Sequence, residues 1–246
     1  MLYFLAILSG ILPALVLIAF IYWQDKYRRE PVKWILKSFW YGMMACAGAV
    51  LLEILMPDCD LDTLEGDLFY SFVVIAFSEE IMRLCFFWLL VRRNPYFDER
   101  MDGIVYAACV GMGLAGLENI GYLLISLDDL AFWGVARALF SVPGHFFYGV
   151  FMGFYYSLAI YGSRRRRVLY YLLAFLVPWL YHGIFDCSIL VADLSDTLFF
   201  VGLSVFLVVF VLMIIMARRH ILRLLHADNK LMHKVGLHPA PLNSKL

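Results

Sequence analysis

Between Leu2 and Trp23 the chain carries no charged side chain, and between Thr197 and Ala217 it again carries none. Runs of this length match what a helix needs to cross a hydrocarbon layer about 30 Å thick. A bilayer admits only helices and closed barrels, because every backbone N–H and C=O must find a partner inside the protein. Five further apolar stretches follow the same rule, so the expected spans are 2–23, 34–56, 67–91, 103–125, 131–162, 168–190 and 197–217. The fifth is too long for one straight helix, and Pro143-Gly144 is expected to divide it. The predicted fold class is therefore all-α, a polytopic membrane helix bundle. Composition agrees: 63% of residues are hydrophobic and 16% charged, against roughly half and a quarter in soluble domains. A formal net charge of zero excludes a nucleic-acid binder that works by neutralising phosphates.

Lys and Arg placement orients the bundle. Of the twenty, eighteen fall in the segment after span one, the loops after spans three and five, and the tail. The exceptions are Arg83 and Arg137; the opposite loops hold only acids, among them Asp58, Asp60, Asp62, Glu65, Asp128, Asp129, Asp193 and Asp196. Basic loops stay cytoplasmic, which predicts the N-terminus outside and the C-terminus inside. The first span reads as an anchor that stays rather than a cleaved signal. Residues 1–217 form one transmembrane domain, and 218–246 form a basic tail whose start, from Ala217 to Val235, has the pattern of an interfacial amphipathic helix. His220, His226, His233 and His238 are expected to be solvated there. The five cysteines have no metal-ligand spacing and read as small buried hydrophobes.

Glu53, Glu79, Glu80, Arg83, Glu118, His145, His182 and Asp186 all lie in apolar spans. A charge near the midplane costs roughly 2.5–3.5 kcal/mol on insertion scales, so a cluster needs a reason. Counted from the basic end at 1.5 Å per residue, Glu79 and Glu80 lie at about 18–20 Å, Glu118 and His182 at about 21–22 Å, and His145 and Asp186 at about 27 Å. Four helices thus bring carboxylates and imidazoles to one level in the outer half of the bilayer. Arg83 stands four residues after Glu79 and three after Glu80, within reach of either. The two glutamates point about 100° apart, so one faces a substrate. Asp186, four residues after His182, can hold one ring nitrogen and leave the other facing the pocket. Asn119 and Arg137 are expected to support the site, and Glu53, without an obvious partner, reads as structural.

Three function classes remain open on these residues. A glutamate with two histidines can activate water and protonate a leaving amine, which is peptide hydrolysis. Glu79, His145, His182 and Asp186 could instead hold a divalent metal such as zinc, although no H-E-x-x-H helix is present. A non-enzymatic scaffold or an ion-coupled transporter would also place such groups in a membrane.

Four ordered blocks discriminate among these. They are Glu79-Glu80-Ile-Met-Arg83, Asp102-Gly103 running into Glu118-Asn119, Arg137 to His145, and His182-Gly-Ile-Phe-Asp186, and the loop Asp25-Lys-Tyr-Arg-Arg-Glu30-Pro31-Val32 precedes them. Together, from Asp25 to Ser188, they resemble the PrsW family of bacterial intramembrane proteases, related to the CAAX-processing proteases. Leu114 stands where the family commonly has an aromatic. The resemblance implies a multi-pass protease of the bacterial cell membrane. Its expected partners are the lipid bilayer and a membrane-anchored, anti-sigma factor-like substrate, given an early, site-1-type cut near the external face. It further implies a glutamate-dependent reaction with no cofactor. Glu79, Glu80, His145 and His182 would be the catalytic residues, and Arg83, Glu118, Asn119, Asp186 and Arg137 the supporting ones.

Overall fold

A computed structural model describes residues 1–25 and 28–234. Lys26, Tyr27, His238 and Lys245 therefore lie outside the described residues. Helices α1 (Leu2–Gln24), α2 (Val32–Ile54), α3 (Leu64–Phe69), α4 (Phe77–Val91), α5 (Arg100–Ile125), α6 (Leu130–Ala136), α7 (Val142–Tyr161), α8 (Arg167–Leu190) and α9 (Asp196–Lys234) account for most of the chain. No strand occurs among the described residues. Two π-helical turns, Tyr70–Ala76 and Arg137–Ser141, join α3 to α4 and α6 to α7. Among the described residues these elements form seven helical rods.

Five rods are long and apolar enough to cross a membrane by length and composition: Leu2–Gln24, Val32–Ile54, Arg100–Ile125, Arg164–Asp193 and Asp196–His233. The expected spans 67–91 and 131–162 are helical but do not reach that threshold. They carry Glu79, Glu80, Arg83, Arg137 and His145, so the residues that make the site also lower the apolarity of its helices. The break in the fifth stretch lies one turn earlier than expected, at Arg137–Ser141, with Pro143 at the start of α7. Proline lacks an N–H, and the wider π turn ahead of it absorbs the missing hydrogen bond.

Helix α5 is the axis of the bundle. From Met101 to Gly116 every residue is buried, and α1, α2 and α7 pack around it. Small residues permit this closeness: a Cβ on Gly42 of α2 would lie 2.8 Å from Gly113 Cα of α5. The outward faces carry large apolar residues such as Leu51, Ile54, Leu172 and Val208, as a surface bathed in lipid requires.

The start of α5 is held by acids. Asp102 accepts from the backbone N–H of Asp98 and Glu99 at 2.7 and 2.6 Å. Asp228, from the far end of α9, accepts from Met101 N–H at 2.9 Å and pairs with Arg100 at 3.3 Å. Tyr106 donates to Glu30, and Arg28 reaches Asp98 at 2.8 Å. Burial and the neighbouring carboxylates Glu30 and Glu99 push the Asp25 carboxyl up to about 8, and burial raises Glu30 and Glu99 to about 7. Asp25, Arg28 and Glu30 thus gather with Asp98, Glu99 and Asp102 at the end of α5 away from Glu118, about 24 Å along the helix.

Helix α9 runs unbroken through Lys234. Ile221, Leu224 and Leu225, expected on an interfacial helix, are buried in the bundle core. His220 is half-buried and stacks on the Phe154 ring at 3.8 Å rather than standing in solvent. All five cysteines are free; Cys46 and Cys109 are buried, whereas Cys85 is exposed on the outer surface rather than packed inside.

Candidate active site

The π turn at Tyr70–Ala76 sets the phase of α4. The Phe72 carbonyl accepts from Phe77 N–H, five residues on, and also from the Trp179 indole at 2.8 Å. Helix α8 is thereby pinned to the turn that precedes Glu79 and Glu80. The second π turn precedes His145 in the same way, so both deviations from α geometry immediately precede the ionisable cluster.

Glu80 and Arg83 are fully buried and paired with each other. Glu80 Oε1 also meets His182 Nδ1 at 2.9 Å. Arg83 extends its other terminal nitrogen to His145 Nδ1 at 2.8 Å. Because a guanidinium only donates, that His145 nitrogen accepts. His145 Nε2 lies 2.8 Å from Glu118 Oε2, and Arg137 donates to Glu118 Oε1 and Asn119 Oδ1 at 2.6 Å each. His182 Nε2 is 3.2 Å from Asp186 Oδ2. Its two nitrogens therefore face two carboxylates, whereas the spacing alone left one nitrogen free for the pocket.

Glu79 differs from its neighbour. Its Oε2 is buried without a hydrogen-bond partner, yet has three groups close by: His145 Nδ1 at 3.6 Å, Arg83 at 3.7 Å and His182 Nε2 at 4.0 Å. Glu79, His145 and His182 line a cavity of about 1250 Å³; Glu80 does not reach it. Apolar residues of α2, α5, α6, α8 and α9 make up most of the wall, and Asp186, Glu118 and Glu53 add carboxylates to it. All nine expected site residues thus belong to one connected network, and Glu53 joins the cavity wall.

Tyr148 escaped the sequence reading. Its ring stacks on His182 at 4.5 Å and its buried hydroxyl has no partner. The signal was available, since Tyr148 stands three residues after His145 on the same helix face.

The donor set also suits a metal. One oxygen or nitrogen from each of Glu79, His145 and His182 lies within 4.8 Å of the others. Each imidazole sets its other nitrogen against a carboxylate, Glu118 or Glu80, the usual support of a metal-bound histidine. The orphaned Glu79 oxygen has the ligand chemistry that zinc takes. Against it stands the Arg83 N–H directed at His145 Nδ1, which would have to turn aside.

The chain matches, over residues 30–216, the model of a family described as PrsW family intramembrane metalloprotease. Protease PrsW of Bacillus subtilis is 36% identical over 183 residues, 74% of this chain and 82% of the relative. Protease PrsW of Geobacillus kaustophilus is 33% identical over 191 residues, 77% and 82% of the two chains. That of Clostridioides difficile is 32% identical over 187 residues, 75% and 79%. No solved structure matches. With a helical bundle of membrane-crossing length and bacterial relatives that are proteases, the chain belongs to the PrsW family of intramembrane proteases and is a multi-pass bacterial membrane protein.

Proposed function

We propose that this protease makes an early, site-1-type cut in a single-span, anti-sigma factor-like protein, near the external face of the membrane. The observation that carries the reading is the unpartnered Glu79 Oε2, facing the cavity with two imidazole nitrogens within 4.0 Å. The orientation follows the Lys/Arg bias, with the N-terminus outside, residues 1–217 as the protease domain and seven spans.

Glu79 is the base. It takes a proton from a water lodged in the cavity beside His145 as the water oxygen attacks the scissile carbonyl carbon. The Tyr148 hydroxyl donates to the developing oxyanion. His182, charged between Glu80 and Asp186, gives its proton to the departing amide nitrogen as the C–N bond breaks, and the proton on Glu79 then restores it. Glu80 and Arg83 keep His182 and His145 in place, and Arg137 with Asn119 keeps Glu118 behind His145. The products are an amine and a carboxylic acid, which loses its proton to water.

A second reading is favoured by the Glu79, His145 and His182 donor group and by the family's description as a metalloprotease. A zinc ion held by those three would acidify the attacking water and polarise the carbonyl. In that case Glu79 is a ligand, and the residues around it keep their orienting parts.

Purified protein in liposomes with a tagged anti-sigma factor from the same genome tests both. Wild type should release a truncated product, and Glu79→Gln and His182→Ala should not. Truncation that persists in Glu79→Gln refutes the site. Activity that survives 1,10-phenanthroline supports the metal-free reading; loss reversed by zinc, with stoichiometric metal in the purified protein, supports the second.

A further inference from the structure

Most charged groups on the cavity wall have a partner. Glu118 pairs with Arg137, Asp186 with His182, and Glu79 lies against Arg83 and both imidazoles. Glu53 is left over. It stands in the last turn of α2, half-buried on the same wall, with no hydrogen bond or ion pair to any described residue. It is close enough to feel the charges of Glu118, His182 and Asp186. The cation nearest this end of the cavity is already engaged: Arg137 donates to Glu118 and Asn119 and lies 4.1 Å over the Tyr122 ring.

A carboxylate on an apolar wall is costly until a cation meets it. Among the described residues none does. Between Ile54 and Met82, between Ser126 and Ala136, and between Ser188 and Ala217 there is no Lys or Arg. These segments include the loops at the Glu53 end of the bundle, and they carry Asp58, Asp60, Asp62, Glu65, Asp128, Asp129, Asp193 and Asp196. An acidic mouth above an unpaired acid raises the local concentration of a basic segment and repels an acidic one.

We propose that Glu53 is a specificity-determining residue, receiving a Lys or Arg side chain of the substrate close to the cleaved bond. Preferred substrates then carry a basic residue where their apolar segment leaves the membrane. The inference rests on the reading of the cavity as the cleavage site.

The test uses the full chain in liposomes and one single-span substrate with a mapped cut. Each position flanking the cut carries Lys, Gln or Glu in turn, and kcat/KM is compared among wild type, Glu53→Gln and Glu53→Lys. In wild type one position should favour Lys over Glu by about tenfold or more, since like charges brought together at an interface are strongly disfavoured. At that position the ratio should fall toward one in Glu53→Gln and invert in Glu53→Lys. A Lys preference that is absent, or unchanged in Glu53→Lys, overturns the proposal. So does a uniform loss at every position, which assigns Glu53 to catalysis or folding. Cleavage that persists in Glu79→Gln, run alongside, overturns the reading of the cavity itself and the proposal with it.

Discussion

A methyl group added to α5 tests whether the position of His145 controls the chemistry. A Cβ on Gly111 would lie 2.7 Å from the His145 carbonyl oxygen and 3.6 Å from its carbon, and the nearest atom of another residue, Arg83 Nε, is 3.8 Å away. Ordinary contact begins near 3.4 Å, so α7 must withdraw by about 0.7 Å at that residue, an overpacking that costs about 1–3 kcal/mol. His145 is held by two 2.8 Å contacts, to Arg83 and Glu118. A withdrawal of about 0.7 Å carries both to about 3.5 Å, beyond the range of a good hydrogen bond. Misplacement of about 1 Å at a reacting centre costs about a hundredfold, so Gly111→Ala should lower kcat/KM by about tenfold to a hundredfold in the liposome assay. Two further variants separate the causes. Gly149→Ala meets the Ala107 carbonyl at the same 2.7 Å on the same helix pair, one turn from His145, whereas Gly134→Ala meets only Ser9 Cβ at 3.8 Å. Both Gly111→Ala and Gly149→Ala should lower the melting temperature; Gly134→Ala should not. If Gly111→Ala cleaves within about twofold of wild type at matched folded protein, close contact between α5 and His145 is not what sets the site. If Gly149→Ala loses as much activity, the effect belongs to helix separation in general.

The adjacent glutamates should fail in different ways. Glu80→Gln leaves the fully buried Arg83 without its closest carboxylate, which costs about 3–5 kcal/mol, so thermal melting in detergent should show a large drop. Glu79→Gln should melt near wild type and be inactive; equal melting of the two variants refutes the division of labour. At the other end of α5, Asp25 keeps its proton up to about pH 8 in the folded state, while an unfolded aspartate loses its own near 4. The folded state binds the extra proton across that window, so stability falls as pH rises and levels off above 8, with a slope of at most about 1.4 kcal/mol per pH unit for this group. Asp25→Asn should flatten a melting series taken from pH 6 to 9, and an unchanged slope contradicts the buried proton.

Rod boundaries were legible because hydrophobic length is a property of the chain itself: 103–125 was expected where Arg100–Ile125 forms, and 168–190 where Arg167–Leu190 forms. The polar cluster was legible for the complementary reason, that an ionisable residue in an apolar run is expensive and stands out. Register was not. A π turn inserts about one residue per turn and so rotates everything after it by about 100° relative to a continuous α-helix, yet Tyr70–Ala76 has no composition that marks it. What supports that turn is the Trp179 indole on the Phe72 carbonyl, a contact between residues that only the folded bundle brings together.

That missing rotation is the reason the sequence could say that one of two glutamates faces the substrate but not which. Spacing showed that Arg83 reaches either carboxylate and that the pair diverge by about 100°. The choice is made by helices remote in sequence: α8 brings His182 to Glu80, and α7 brings His145 to Arg83. With Glu80 tied to both Arg83 and His182, its side chain cannot also serve the cavity, and Glu79 is left as the carboxylate that does. The same logic separates Glu53 from the other acids. An acid in a span declares its cost in the sequence, but whether that cost is met inside the protein depends on neighbours that the sequence does not place. Glu118 finds Arg137 nineteen residues away, whereas Glu53 finds no partner among the described residues. An unmet cost facing a cavity is a demand on the ligand, and a cationic side chain is what satisfies a carboxylate there.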